Sequence, residues 1–181
     1  MGAEPVRPQI EGLGRAGVKS ALAEEVLRGF LPEEGSRIVI AGGGTVGLET
    51  AEYLAEKGRY EITVVEMEKK AGKDLGGLKW IMMKELKKLG VQVKTQSRLE
   101  KAEEYGVIVT EKEETTDGKE EIQKKVYPCD LLLLATGYRS RNAEEIEAYL
   151  RQMGIPYQIV GDQKKPSNIM EALEESYEAV R

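Results

Sequence analysis

The sequence predicts an α/β protein with a Rossmann-like, doubly wound parallel sheet that carries an antiparallel β-meander insert. Three observations predict this class: a short apolar strand that ends in three glycines, its alternation with helical patterns, and a later change to antiparallel patterning. The first of these is the stretch RIVIAGGGTVGLETAEYLAEKG, residues 37–58. Its strand, residues 38–41, is apolar throughout, as expected when both faces of a parallel sheet are buried.

The first half of the chain continues the alternation of strands and helices. After the glycines, apolar residues recur at helical spacing and stop at Gly58, a residue typical of helix ends. Strands are predicted at 62–65 and at 91–95. The helix between them has a predicted apolar face formed by Leu75, Leu78, Ile81, Met82, Leu86 and Leu89.

The second half of the chain changes pattern. Segments at 98–103, 106–112 and 121–127 predict a meander of antiparallel strands, with a turn at Thr116-Asp117-Gly118. A strand predicted at 130–136, apolar from Leu131 to Ala135, follows the meander. The meander therefore takes the place of one of the crossover helices that usually join parallel strands.

Composition narrows the function classes. The chain of 181 residues has a net charge of −5 with Lys and Arg interleaved among Asp and Glu, which argues against a nucleic-acid or anionic-membrane partner. Cys129 is the single cysteine and there is no histidine, so a disulfide, a Ser-His-Asp triad, a histidine metal site and a cysteine-bound iron–sulfur cluster are excluded within this chain. No catalytic or metal-binding residue is predicted. No signal region or membrane-length apolar run is found, and a cytoplasmic location is expected.

The glycines have the spacing of a dinucleotide-binding turn. Gly42, Gly44 and Gly47 fit G-x-G-x-x-G, directly after a strand and at the start of a helix. The first permits the tight turn, the second lets a pyrophosphate approach the backbone, and the third lets the helix pack against the strand. Glu66 ends the next strand, where an acidic side chain accepts hydrogen bonds from a ribose 2′-OH. A glycine turn that only packs an α/β unit, and a methyltransferase, are the alternatives.

Three segments carry a resemblance to a known family. GGGTVGLETAEYLAEKG, ITVVEMEKKAGKDLG and DLLLLATGYRSRN resemble the NAD(P)H domain of two-dinucleotide flavoprotein reductases. The chain is most similar to the carboxyl-terminal part of NADH:flavin oxidoreductases with 2,4-dienoyl-CoA reductase and enoate reductase activity, which are related to pyridine nucleotide-disulfide reductases. GAEPVRPQIEGL and YQIVGDQKKPSNIMEALEESYEAV resemble the segments that flank this domain and belong to an FAD-type domain.

The resemblance implies three regions. Residues 1–35 would be the tail of an FAD-type domain, 36–140 the NAD(P)H-binding Rossmann domain, and 141–181 a closing FAD-domain segment with a strand at 157–160 and a final helix. Because the FAD glycine turn, a barrel and a cysteine cluster are missing, the chain is interpreted as a fragment of a longer reductase. Without its partner, the strand at 157–160 would join the sheet edge, stay loose, or pair with a second copy in a homodimer.

The resemblance also implies site residues. The NAD(P)H pyrophosphate would be held by Gly42, Gly43, Gly44, Thr45, Val46 and Gly47. Glu49 would lie near the nicotinamide, although an acidic residue early in a helix is also favoured by the helix dipole. The nicotinamide would be bordered by Ala135, Thr136 and Gly137. Gly161 and Asp162 would touch FAD in the complete protein, whereas FAD binding by this chain alone is not expected.

Two classes of function follow. The first is an NAD(P)H-binding module of a flavin-dependent oxidoreductase that delivers hydride to a flavin and is inactive alone. The second is a non-catalytic nucleotide-binding sensor or interaction module. NADH is favoured over NADPH, because Glu66 accepts from a 2′-OH but repels a 2′-phosphate, while Lys69 and Lys70 work against that preference. The final electron acceptor is not encoded in these motifs.

Overall fold

The computed structural model describes residues 2–14, 17–114 and 120–181, and these residues form ten strands. The strands are β1 (Ala3–Pro5), β2 (Lys19–Leu22), β3 (Arg37–Ala41), β4 (Glu61–Val65), β5 (Gln92–Lys94), β6 (Ser97–Glu103), β7 (Gly106–Glu114), β8 (Glu120–Pro128), β9 (Leu131–Leu134) and β10 (Tyr138–Ser140).

Five α-helices and two short 3₁₀ segments accompany the strands in these described residues. The helices are α1 (Ala23–Leu27), α2 (Thr45–Lys57), α3 (Lys79–Lys88), α4 (Glu144–Gln152) and α5 (Ile169–Ala179). The 3₁₀ segments are Lys73–Leu78 and Gly161–Gln163. Across the described ranges, no helix combines the length and the apolar character needed to cross a membrane.

The chain divides into two compact units. One is Arg7–Thr136, and the other combines Met1–Val6 with Gly137–Arg181. The sequence placed its boundaries elsewhere, at residues 35 and 140. Strand β2 accounts for part of the difference, since it belongs to the sheet of the larger unit. The assignment of the flanking regions to an FAD-type domain stays a prediction.

The larger unit is built on a parallel sheet with the strand order β2-β9-β3-β4-β5. Strand β3 lies in the middle, paired with β4 on one side and β9 on the other. A three-stranded antiparallel sheet, β6-β7-β8, is inserted between β5 and β9. The predicted fold class and meander are confirmed, whereas the predicted turn at 116–118 lies outside the described residues.

Both faces of the parallel sheet are buried, and the alternation along β3 shows how. Ile38 and Ile40 pack in a cluster with Leu48 and Leu54 of α2. Val39 and Ala41 point to the other face, in a cluster that includes residues of the meander such as Val107 and Val109. Because successive side chains of a strand point to opposite faces, a sheet covered on both sides requires an uninterrupted apolar run.

The helix before β5 differs from its prediction. The predicted apolar face began at Leu75, but the α-helix starts at Lys79 and a 3₁₀ segment precedes it. Leu86 is fully buried and Leu75 packs against the core, whereas Leu78 is 65% exposed. The change from 3₁₀ to α geometry shifts the angular position of each side chain, and Leu78 leaves the buried face.

The smaller unit contains a two-stranded antiparallel sheet, β1-β10, together with α4 and α5. The predicted last helix is confirmed as α5, which begins after Asn168, whose side chain accepts a hydrogen bond from the Glu171 amide at 3.0 Å. Residues 157–160 have no regular structure, which corresponds to the second of the three outcomes expected for this segment without its partner. An extended segment forms a strand only when a neighbour satisfies its backbone groups, and β-branched composition alone does not supply that neighbour.

Asp130→Asn is expected to destabilise the larger unit in a pH-dependent way. Its carboxylate joins the starts of β3 and β9, accepting hydrogen bonds from Arg37 Nη2 at 2.6 Å, Arg37 Nε at 2.9 Å and the Arg37 amide at 2.8 Å. The side-chain hydrogen bond and then the backbone one lower the pKa of Asp130 to about 2. A depressed pKa gives stability that is complete above about pH 4, the usual aspartate value, and is lost as the pH falls through the folded value.

The measurement is thermal unfolding of the wild type and the variant at several pH values. Since the pair is about half exposed, the loss in midpoint at pH 7 should be only about 1–3 °C, and it should vanish near the folded pKa. Glu61→Gln is the matched control, because Glu61 influences Arg37 through charge alone. An equal loss at all pH values would contradict this account.

Candidate dinucleotide-binding site

The candidate site lies at the carboxyl edge of the parallel sheet. Residues 42–47, called here the glycine turn, connect the end of β3 to the start of α2. The chain proceeds from β3 to β4 on one side, while β9 occupies the other side of β3. In open α/β sheets, ligands bind outside the carboxyl ends of the strands where the strand order reverses in this way.

Backbone packing explains two of the three motif glycines. Gly42 has a φ of 112°, and a Cβ there would overlap the carbonyl of Ala135, which follows β9. At Gly47 a Cβ would overlap the Gly42 carbonyl and would lie 3.2 Å from the Ala135 Cβ. The turn, the first turn of α2 and the end of β9 therefore come together only because these positions have no side chain.

Glu66 contacts the glycine turn directly. It follows β4 and is half-buried, and its Oε2 accepts a hydrogen bond from the Gly43 amide at 2.7 Å. Its Oε1 accepts one from the Glu68 amide at 2.8 Å. A carboxylate has lone pairs for further donors, so a ribose hydroxyl remains compatible with this geometry. Glu66 thus joins the end of β4 to the turn, a positioning role that its motif spacing does not reveal.

Asp74 is a member of the site that the sequence did not indicate. Its Oδ2 accepts a hydrogen bond from the Thr45 amide at 2.9 Å, at the amino end of α2. Partial burial acts to raise the pKa of Asp74, but hydrogen bonds from the side chain and backbone of Thr45 and from its own amide outweigh it and lower the pKa. Asp74 lies 29 positions from Thr45 in the chain, so no local motif joins the two.

Three of the residues predicted to lie near the nicotinamide are Glu49, Thr136 and Gly137. Glu49 is exposed and lies beyond the first turn of α2, where the helix dipole has little effect, so the dipole interpretation is not supported. Thr136 is exposed and ends the larger unit, and Gly137 begins the smaller one. Roles of these residues at a nicotinamide stay predictions.

The predicted flavin contacts belong to the smaller unit. The amide of Gly161 donates to Glu175 Oε2 at 2.7 Å, and the carbonyl of Asp162 accepts from Ser140 Oγ at 2.8 Å. These bonds hold the 3₁₀ segment Gly161–Gln163 within its unit. Contact of Gly161 and Asp162 with FAD stays a prediction.

Cys129 lies just before β9, at the opposite edge of the parallel sheet from the glycine turn. It is 2% exposed, and burial raises the pKa of its thiol to about 11. Because the thiolate is the reactive form, this cysteine is protonated and inert at neutral pH. Cys129 is therefore a small side chain of the core.

Comparison with known proteins agrees with this geometry. Residues 1–168 match the family model described as pyridine nucleotide-disulphide oxidoreductase. The chain therefore belongs to the pyridine nucleotide-disulphide oxidoreductase family. This is the general class that the sequence resemblance implied, and the narrower resemblance to NADH:flavin oxidoreductases is taken up as a proposal below.

Curated relatives and a solved structure resemble essentially the whole chain. A metal reductase of Desulforamulus reducens is 32% identical over 99% of this chain, and an NADH oxidase of Thermoanaerobacter brockii is 31% identical over 98%. The chain spans 29% and 26% of their lengths. The structure of a 2-naphthoyl-CoA reductase complex has a TM-score of 0.75 and 24% identity, and this likeness covers 98% of the chain and 25% of that protein. At this identity it shows the same fold.

Gly42→Ala is expected to destabilise the larger unit by about 1–3 kcal/mol, because a left-handed φ and a backbone overlap are imposed together. Gly77→Ala is the control, since a Cβ at Gly77 meets no atom within 4 Å. Denaturant unfolding of both variants measures the difference. Equal stability of the two variants would show that the approach of the turn to Ala135 does not constrain the fold.

Proposed function

We propose that this chain is the NAD(P)H-binding module of a flavin-dependent oxidoreductase of the NADH:flavin oxidoreductase type. In this proposal it holds the dinucleotide at the glycine turn and presents the nicotinamide to a flavin bound largely by other parts of a longer protein. The names of the two curated relatives, a metal reductase and an NADH oxidase, are those of redox enzymes and support this class.

The observation that carries the proposal is the set of backbone donors at the glycine turn. The amides of Gly43 and Thr45 each donate to a carboxylate, at 2.7 Å and 2.9 Å. Donors at the amino end of a helix stabilise negative charge, and a pyrophosphate is the anion that this turn accommodates in dinucleotide-binding folds. The residues present therefore fit the dinucleotide that the family implies.

The contribution of the chain is binding and orientation. When bound, NAD(P)H supplies the hydride and a flavin accepts it. Gly44 has no side chain to keep a pyrophosphate away from the backbone. Ala135, which touches the turn, would border the path towards the nicotinamide. The final acceptor of the electrons would be selected by regions outside this chain, which covers only about a quarter of its relatives.

The proposal favours NADH over NADPH. Glu66 lies at the end of β4, where its charge would repel a 2′-phosphate but not a 2′-OH. Among the nearby lysines, Lys73 is already paired with Glu68, with Nζ and Oε2 2.7 Å apart. Lys69 and Lys70 are exposed charges that would weaken this preference without removing it.

Calorimetric titration of the purified chain with NADH and NADPH tests the proposal. We expect saturable binding of both, with NADH tighter. Glu66→Ala should lower the affinity for NADH and narrow the gap to NADPH, because it removes the ribose acceptor and the support of the Gly43 amide together. Glu66→Gln, which keeps an acceptor oxygen, should retain more NADH affinity than the alanine variant.

Three results would contradict this assignment. Binding of neither dinucleotide at about 1 mM ligand would leave only a packing role for the turn. Binding of a methyl-donor nucleoside in their place would favour the methyltransferase alternative. A wild type that binds NADPH about tenfold better than NADH would show that Glu66 does not select the cofactor.

The purified chain is expected to contain no bound flavin and to show no NADH oxidation with oxygen or quinones. Gly161 and Asp162 would supply one edge of a flavin site, and affinity depends on an enclosed, preorganised set of contacts. The absorbance spectrum after gel filtration, with and without added FAD, is the measurement. A yellow preparation that keeps its FAD would show that the chain is a reductase by itself.

A further inference from the structure

The carboxylate of Asp74 occupies the position that the proposed pyrophosphate requires. Its Oδ2 accepts from the Thr45 amide at 2.9 Å and lies 3.5 Å from the point where a Cβ of Gly44 would be. Gly44 is the motif glycine whose missing side chain lets a pyrophosphate approach the backbone. Two anions cannot share one helix amino end without strong repulsion, so the carboxylate and the pyrophosphate compete.

Asp74 differs from a carboxylate that is held by a cationic side chain in an ion pair. Within the described residues, the hydrogen bonds that lower its pKa come from Thr45 and from its own amide and not from a cationic side chain. The neighbouring Lys73 is paired with Glu68. Asp74 therefore depends on the same helix amino end that an incoming phosphate would use.

The segment around Asp74 is anchored by residues other than Asp74 itself. Ala71 is buried, and the Gly72 amide donates to the Gly43 carbonyl at 2.7 Å. Leu75 packs against the core on the other side. Asp74 itself is exposed between these anchors. Rotation of the Asp74 side chain alone would therefore release the Thr45 amide, without a shift of the backbone of the segment.

We propose that Asp74 is a displaceable cap of the dinucleotide site, which holds the Thr45 amide until a pyrophosphate takes its place. This inference rests on the proposed function of the glycine turn. In the free protein the cap satisfies a backbone donor that would otherwise face water, and it keeps the amino end of α2 ordered. The cap lowers the affinity of this helix end for every anion. Phosphates that bind there only weakly therefore do not displace it.

The test compares dinucleotide affinity in Asp74 variants of the full chain. Asp74→Asn and Asp74→Ala should bind NADH about three- to tenfold more tightly than the wild type, because the competing charge is gone. Glu68→Gln removes a negative charge from the same stretch of chain but not from the amino end of α2, and it should gain clearly less. Inorganic pyrophosphate is titrated in parallel, since it probes the helix end without the nucleosides.

The outcomes separate this inference from the proposed function. Weaker or unchanged NADH binding in both Asp74 variants would overturn the cap while leaving dinucleotide binding intact. An equal gain in NADH affinity in Glu68→Gln would also overturn the cap, since loss of any negative charge in this stretch of chain would then have the same effect. If no form of the chain binds NADH, the proposed function fails, and the cap is then tested by pyrophosphate binding alone. Tighter pyrophosphate binding by the Asp74 variants than by the wild type would support the cap, and equal binding would overturn it.

A measurement on the wild type keeps the test independent of variant folding. The chain has four aspartates, so carboxyl ¹³C labelling of aspartate yields few resonances, and Asp74→Asn assigns the relevant one. Addition of NADH should raise the pKa of Asp74, because the displaced carboxylate loses the donors of Thr45 and then faces a phosphate. An unchanged or lower pKa on binding would show that Asp74 stays on Thr45, and the cap would be refuted.

Discussion

The candidate site depends on the close approach of two backbone segments, the glycine turn after β3 and the end of β9. Gly42 faces the Ala135 carbonyl and Gly47 faces the Gly42 carbonyl, with no space for a side chain at either contact. This approach sets where α2 begins, and therefore where its first amides lie. Because the amino end of a helix carries partial positive charge, the same packing that joins helix and sheet also creates an anion-binding position.

The sheet supplies the rigidity that this arrangement needs. Strand β3 is paired on both sides and covered on both faces, by α2 on one and by the meander on the other. At the far edge, the Asp130 carboxylate and the Arg37 guanidinium hold the starts of β9 and β3 together. Strands β3 and β9, whose carboxyl ends border the site, are therefore joined along their whole length. Loops at these carboxyl ends can vary while the sheet stays intact.

The negative charge of two carboxylates at the site opposes the binding of its proposed ligand. Glu66 and Asp74 satisfy the Gly43 and Thr45 amides, which is favourable for the free protein. The same carboxylates repel phosphate groups, so stability of the free site and affinity for a dinucleotide oppose each other. Glu66 has a second use at a ribose hydroxyl, while Asp74 has no such use in the motif, and for this reason the two acidic residues carry different proposals.

The sequence was sufficient to predict the fold class, the meander, the glycine turn and the position of Glu66, because each depends on local periodicity or on spacing within one β-α-β unit. It did not decide among the three outcomes for residues 157–160, because strand pairing depends on neighbours distant in the chain. It also placed Leu78 on the buried face, whereas the 3₁₀ segment before α3 leaves this side chain exposed. It gave no sign of Asp74 at the amino end of α2. That contact depends on tertiary packing, because a carboxylate 29 residues away reaches the Thr45 amide through the folding of the segment after β4 against the glycine turn.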